Sequence, residues 1–291
     1  MKWLIYGNGW IGNQVKQYLD NNFDYDVRFG KSRVDNKETL LEELKSINPD
    51  RVLCLIGRTH GENYKTIDYL ELPGKLKENI RDNLFSPVIL SIICKELDIH
   101  LTYLGTGCIF DYDTEHTPFE NGFTEKDEPN FFGSSYSIVK GFTDRIMHLF
   151  NNHTLNVRIR MPITACDSER NFINKILKYE KICSIENSMT VLPELIPIMI
   201  DMVINRDTGS INLTNPGVIS HNEILQMYKD IVDKNFSWNN FEIEEQDKIL
   251  LSKRSNNYLD TSVLKTKYPN VKNIHDSVRD VILKMKEKKS N

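Results

Sequence analysis

Cysteine is scarce and unpaired in this 291-residue chain. There are 5, an odd number (Cys54, Cys94, Cys108, Cys166 and Cys183), and no two are spaced as Cys-x-x-Cys. That argues against a disulfide framework and a zinc site, and it fits a reducing, cytoplasmic compartment. An excess of basic charge is also missing. Lys and Arg number 37 against 41 Asp and Glu, a formal net charge of -4. A nucleic-acid coat protein is therefore not expected, because tracking phosphates needs surplus Lys and Arg. No run of ~18 apolar residues occurs, so no membrane-spanning helix is expected. The most apolar stretch, Leu192 to Ile204, is broken by Glu194 and Asp201. The first residues lack the cationic end, apolar middle and small-residue cleavage site of a signal peptide.

What is present suits a globular α/β protein. Hydrophobic residues make up 40 % and charged residues 27 %, enough for a core under an ordinary charged surface. Strands are expected at Lys2–Tyr6, Tyr25–Phe29, Arg51–Ile56, Leu101–Leu104 and Leu155–Arg160. Helical spacing is expected at Trp10–Leu19, Lys37–Ile47, Leu76–Leu97 and Gly133–Phe150. The third strand is apolar throughout, as in a parallel sheet covered on both faces. This alternation predicts a Rossmann-like, doubly wound parallel sheet over residues 1–160 that binds a dinucleotide. Beyond residue 161 the pattern is mixed. Helices at Phe172–Tyr179, Glu194–Ile204 and Asn222–Val232 alternate with short strands and turns. Residues 161–291 therefore read as a smaller mixed α/β lobe that binds substrate, with some segments returning to the first domain. The Lys-rich stretch from Lys284 to Asn291 reads as a helix tail running into solvent.

The first strand runs into Gly7-Asn8-Gly9-Trp10-Ile11-Gly12, a G-x-G-x-x-G loop between strand and helix. Gly7 permits the tight turn, Gly9 lets the backbone approach a pyrophosphate, and Gly12 lets the helix pack on the strand. The helix N-terminus offers free N–H groups to the phosphates. The second strand ends in Lys31 and Arg33 rather than in a carboxylate for an adenosine ribose. Both side chains can pair with a 2′-phosphate, which favours NADPH; a solvated basic turn is the alternative. Gly57 and Arg58 follow the third strand and are expected beside the cofactor.

Tyr136 and Lys140 form Y-x-x-x-K, at i and i+4 on one helix face. An ammonium beside a phenol favours the phenolate and lowers its pKa, and such a phenol can exchange a proton with a substrate oxygen. Thr106 ends the fourth strand, where strand ends face the ligand crevice, and can hold the same oxygen.

Together these features resemble the extended short-chain dehydrogenase/reductases, whose Ser/Thr, Tyr, Lys triad has the order Thr106, Tyr136, Lys140. Several further runs are similar to one branch. They include Gly105-Thr106-Gly107-Cys108-Ile109-Phe110, Arg160-Met161-Pro162-Ile163, Asn187-Ser188-Met189-Thr190-Val191-Leu192, Thr214 through Ile224, and Arg254-Ser255-Asn256-Asn257. They resemble the nucleotide-rhamnose synthase/epimerase-reductase family, the C-terminal module of plant rhamnose synthases. The resemblance covers nearly the whole chain.

It implies an NADPH-dependent 3,5-epimerase/4-reductase that converts UDP-4-keto-6-deoxy-D-glucose to UDP-L-rhamnose. It makes Thr106, Tyr136 and Lys140 the reductase triad. Cys108 falls where the similar GDP-fucose synthase carries its epimerisation cysteine, and Lys175 near that enzyme's partner histidine. The plain alternatives are a packed thiol and a solvated helix lysine. Asn83 matches the superfamily's structural Asn near the cofactor, and Met161 is expected to flank the nicotinamide. Asn171, Val191 and Arg254 resemble positions that hold the nucleotide diphosphate, with Thr106, Gly107 and Cys108 against the sugar. The related 4,6-dehydratases carry Thr-Asp-Glu where this chain has Thr106-Gly107-Cys108, so a separate dehydratase is expected to supply the 4-keto sugar. Relatives have G-x-x-G-x-x-G, and the loop here is one residue shorter. A reductase acting on an already epimerised sugar and a silent NADPH-binding subunit are the alternative readings. A homodimer is an assembly the resemblance allows.

Overall fold

The computed structural model of the chain describes residues 1–61 and 63–290. The strand β1 (Lys2–Tyr6) shows how the sheet is built. Its Trp3 and Ile5 point into one apolar core, and its Leu4 and Tyr6 into another. That is the period-2 alternation of a strand buried on both faces. After it come α1 (Trp10–Asn22), β2 (Asp26–Phe29), α2 (Lys37–Ile47) and β3 (Arg51–Cys54). Then follow α3 (Leu76–Ile80), α4 (Ser86–Glu96), β4 (His100–Thr106), α5 (Ser135–Met147) and β5 (Thr154–Ile159). The remainder comprises β6 (Pro162–Ile163), α6 (Phe172–Ile176), β7 (Lys181–Ile182), β8 (Thr190–Val191), α7 (Leu192–Ile204), β9 (Gly209–Asn212), α8 (His221–Ile231), β10 (Asn239–Asn240), α9 (Ile243–Ile249), α10 (Ser262–Lys267) and α11 (Ile274–Ser290). Asn291, the end of the expected helix tail, lies outside the described residues.

Six strands form one parallel sheet in the order β2-β1-β3-β4-β5-β9. The order reverses between β1 and β3, and ligands bind doubly wound sheets at such a reversal, beyond the strands' C-terminal ends. One core lies under α1 and α7, with Val15, Leu19, Leu195 and Met199. The opposite core lies under α2 and α4, with Leu40, Leu44, Leu90 and Ile93. A third belongs to the C-terminal lobe, where α8 and α11 meet β6 and β8 around Ile224, Leu225, Val278 and Ile282. Residues 192–212 return to the first sheet, since α7 enters its core and β9 is its sixth strand.

Local sequence explains the element ends. In α2, Asn36 accepts the Thr39 N–H at the start, and Asn48 closes the end in the left-handed region at φ 47°. Ser220 and Glu223 cap α8 reciprocally. The long helix expected over residues 76–97 carries a π-helical turn at Arg81–Phe85. Pro87 lacks the N–H that would bond the carbonyl of residue 83. The Thr143 hydroxyl donates to that carbonyl instead, at 2.7 Å.

Candidate active site

The glycine loop fits a bound pyrophosphate. Gly7 has φ +113°, and a Cβ there would lie 2.5 Å from the Leu55 carbonyl carbon. A Cβ on Gly12 would lie 2.0 Å from the Gly7 oxygen, so only glycine lets α1 sit this close to the turn. Gly9 has nothing within 4 Å of its missing Cβ. It also starts α1 with no side-chain cap, which leaves helix N–H groups free for an anion. The Asn13 amide braces the loop by donating to Asn8 Oδ1 and the Gly9 carbonyl. Trp10 and Ile11 turn inward and pack on the core below.

A groove of about 440 Å³ runs from this loop past the ends of β2 and β3. Arg33, Arg58 and Arg81 line it, with Gly57 and His60. Arg33 is exposed and holds Asp35 bidentately at 2.9 and 3.0 Å. Glu43 shapes the turn by accepting the N–H groups of Lys31 and Ser32 at 2.7 and 2.9 Å. The Lys31 side chain is exposed and does not line the groove. The basic lining that the sequence assigned to Lys31 comes from Arg58 and Arg81, which a linear reading does not bring to β2.

Asn83 is fully buried and acts at one remove. Its Oδ1 accepts the Arg58 N–H, and its Nδ2 donates to the Arg58 carbonyl, both at 2.9 Å. It therefore fixes the Gly57–Arg58 turn rather than facing the groove. Met161 is half-buried after β5 at φ +41°, an unusual value for a residue with a Cβ.

Thr106 ends β4 and Tyr136 lies on the first turn of α5, where the Thr106 hydroxyl acts on the phenol. Both are buried, at 8 % and 7 % exposure. The phenol is not acidified as the i, i+4 spacing suggested. Burial chiefly, and then Cys108, push its pKa up, with Thr106 offsetting in part. The reason is geometric: the Lys140 ammonium donates to the Tyr103 hydroxyl and to the Leu104 carbonyl. Burial lowers Lys140 from an ordinary 10.5 to about 8, opposed by Cys54, Asp144 and Cys108.

Cys108 packs beside Tyr69, Leu70 and Tyr136, and its N–H donates to Thr106 Oγ1 at 3.1 Å. Arg160 Nη1 approaches its Sγ at 3.6 Å. This contact follows from register. Thr106 pairs with Ile159 and the Gly107 N–H donates to the Ile159 carbonyl, so the residue after Ile159 reaches the Cys108 loop. The sequence singled out Arg160 only as part of a run; reading the parallel strand ends together would have found it. Gly107 is fixed by Leu259, against which a Cβ would lie 2.6 Å away.

Lys175 is half-buried on α6. Burial first, then Arg170 and Arg254, lower its pKa. The same cationic surroundings reach His60, which burial, Arg170, Arg58 and Lys175 push down to about 4. Arg254 bonds Asp68 at 2.5 Å. Burial raises the Asp68 pKa, but the hydrogen bonds from Arg254 and Thr66 outweigh it and leave the carboxyl below its ordinary value. Asp68 and His60 were not singled out from the sequence. Asn171 and Val191 are spent on structure. The Asn171 amide donates to the Thr164 carbonyl at 2.7 Å and accepts its N–H at 3.2 Å. The Val191 N–H donates to Asn215 Oδ1 at 2.9 Å. Both side chains are buried.

No family model matches the chain. Individual relatives do. The crystal structure of the L780 UDP-rhamnose synthase from Acanthamoeba polyphaga mimivirus superposes with a TM-score of 0.95. It is 54% identical and covers 98% of this chain and 99% of that one. A bifunctional dTDP-4-dehydrorhamnose 3,5-epimerase/dTDP-4-dehydrorhamnose reductase from Arabidopsis thaliana is 40% identical over 279 residues, 94% of this chain and 90% of the relative. A trifunctional UDP-glucose 4,6-dehydratase/UDP-4-keto-6-deoxy-D-glucose 3,5-epimerase/UDP-4-keto-L-rhamnose-reductase from the same plant is 40% identical over 281 residues. That match takes in 96% of this chain and 41% of the plant protein. The glycine loop, the strand-end Thr106 and Cys108, and whole-length identity to a bifunctional relative agree: the chain belongs to the nucleotide-rhamnose synthase/epimerase-reductase family.

Proposed function

We propose that this protein converts UDP-4-keto-6-deoxy-D-glucose to UDP-L-rhamnose, inverting C3 and C5 and then reducing C4 with NADPH. The observation that carries the reading is Cys108, set between the hydroxyls of Thr106 and Tyr136 and the guanidinium of Arg160. A reductase needs the phenol and the threonine; the thiol adds a base suited to proton abstraction.

The 4-keto group acidifies the hydrogens on C3 and C5. Thr106 and Tyr136 hold O4 by hydrogen bonds and stabilise the enolate charge that develops there. Cys108 Sγ takes the proton from one face. The Lys175 ammonium, whose lowered pKa eases proton release, returns one to the other face. The groove and its glycine loop would hold NADPH, which when bound would supply the hydride for C4. The Tyr136 phenol, kept protonated by its burial, gives O4 its proton in that step. Arg254, held by Asp68, and the half-buried Arg170 are the guanidinium groups this reading offers to the diphosphate. Gly7, Gly9 and the start of α1 would hold the cofactor pyrophosphate, and Arg33 its 2′-phosphate.

The substrate comes from a separate 4,6-dehydratase, because Gly107 and Cys108 stand where dehydration needs carboxylates. The trifunctional plant relative has a dehydratase in its name and extends well beyond the matched 41%. Among the described residues no helix is long and apolar enough to cross a membrane. Five free thiols fit a reducing cytoplasm. The test is a single-turnover assay with UDP-4-keto-6-deoxy-D-glucose and NADPH. The account expects stoichiometric NADPH oxidation and UDP-L-rhamnose; a D-configured 6-deoxyhexose as the reduced product would overturn the epimerase half.

A further inference from the structure

The site holds a buried positive charge whose neighbours in contact are all neutral as written. Arg160 is 1% exposed. Its Nη1 donates to Ser255 Oγ at 2.8 Å and to Cys108 Sγ at 3.6 Å. Its Nη2 donates to Asn187 Oδ1 and the Ser255 carbonyl, both at 2.5 Å. Its Nε has no acceptor. Among the described residues no carboxylate lies within ion-pairing distance of this guanidinium. A buried cation of this kind is normally paired, and arginine stays charged where lysine would shed its proton.

We propose that Arg160 is the counter-ion of a Cys108 thiolate, and so the positioning residue that charges the base of the epimerisation. This rests on the reading of Cys108 as that base. The other groups around the pair leave the role to the thiol. Asp111 is nearest in charge, yet its carboxylate accepts the Asn256 N–H at 2.7 Å, and burial favours its neutral form. Tyr112 and Tyr136 are both pushed up by burial and remain neutral phenols. His221 is pushed down to about 4 by burial first and then by Arg160, and is neutral as well. Lys140 acts on Cys108 in the same sense as Arg160, but its ammonium is bonded to Tyr103. Of the groups in contact with the guanidinium, the Cys108 thiol is the one whose loss of a proton would give it an anion to pair with.

The proton balance is simple. The thiol releases its proton to solvent when the pair forms, and the thiolate later takes one from C3 or C5. The thiol so formed is offset by the proton Lys175 gives the opposite face, and before the second carbon reacts Cys108 returns its proton to solvent and Lys175 takes one up. Each inversion leaves the substrate with the same number of protons.

Alkylation by iodoacetamide, read residue by residue by mass spectrometry on the full chain, tests the pair. Cys166 is exposed and serves as the internal reference. At pH 6.5 Cys108, though less exposed, is expected to react at least about tenfold faster than Cys166, because only the thiolate reacts. Arg160→Met is expected to remove that advantage, and Arg160→Lys to restore part of it at pH 6.5 but less at pH 9. Equal rates at Cys108 and Cys166 in the unaltered chain would overturn the pair even if Arg160→Met failed to fold. So would an unaltered Cys108 rate in a folded Arg160→Met. Failure of the underlying reading looks different. Cys108→Ala would then keep full deuterium exchange at C3 and C5 while the alkylation difference stood.

Discussion

The Lys140 ammonium is bonded to the Tyr103 hydroxyl and the Leu104 carbonyl, one helical turn from the Tyr136 phenol to which its spacing assigned it. Tyr136 is thereby left to its apolar surroundings, which keep it protonated. For a reductase that is the useful state, because O4 must receive a proton as C4 receives hydride.

Tyr136→Phe removes that proton donor but not the thiol. Reduction at C4 is expected to fall by ~10²–10⁴-fold, the usual worth of a positioned general acid. Deuterium uptake at C3 and C5 is expected to fall far less. NADPH oxidation and NMR exchange on the same sample read the two halves separately. Equal loss of both would remove Tyr136 from its special place in reduction.

Lys140 gives a pH signature in stability. Its pKa is about 8 in the fold against an ordinary 10.5. Below pH 8 the folded protein carries the ammonium against its burial. Between about 8 and 10.5 the folded chain has released that proton while the unfolded chain still binds it, so this group makes stability rise with pH. The gain is at most about 3 kcal/mol across the window. Thermal melts of the wild type and Lys140→Met from pH 7 to 10 should show the wild type gaining on the variant. A constant difference would mean the ammonium is not desolvated.

Arg33 lines the groove while Lys31 does not. Arg33→Ala is expected to raise the KM for NADPH about tenfold, in line with the loss of a hydrogen bond to a charged group at an exposed site. The KM for NADH should stay nearly constant. Lys31→Ala should change neither by more than about twofold, since exposed charges act weakly.

Asp68 reaches Arg254 across 186 positions of sequence. If the pair holds the guanidinium toward the diphosphate, Asp68→Asn and Arg254→Ala should each raise the substrate KM, the latter by ~10–100-fold. Binding of NADPH, measured by fluorescence titration, should not change. A parallel loss of NADPH binding would instead assign Arg254 to the cofactor.

The sequence made the frame legible where local chemistry decides. Trp3 to Ile5 and Val52 to Cys54 are apolar strands with one possible home, between two helical layers. The glycine loop follows from backbone room alone. Less legible was whatever depends on long-range register or rotamer. Arg160 meets Cys108 because β4 and β5 pair in one register, 52 residues apart. The Tyr103 partner of Lys140 lies on another strand, where helix spacing has no say. Asn171 looked like a ligand by resemblance, but its amide donates to the Thr164 and Cys166 carbonyls and its oxygen accepts the Thr164 N–H. The π turn near Asn83 required knowing that Thr143 takes the carbonyl that Pro87 leaves.

On this reading one site performs both inversions before it reduces. The most direct measurement is an NMR time course in D₂O with UDP-4-keto-6-deoxy-D-glucose, first without NADPH and then with it, for the wild type and Cys108→Ala. Deuterium is expected at C3 and C5 before any cofactor is added, then NADPH-dependent UDP-L-rhamnose, with both exchange signals lost in Cys108→Ala. NADPH oxidation by the wild type with no deuterium at either carbon would contradict it and leave a reductase alone.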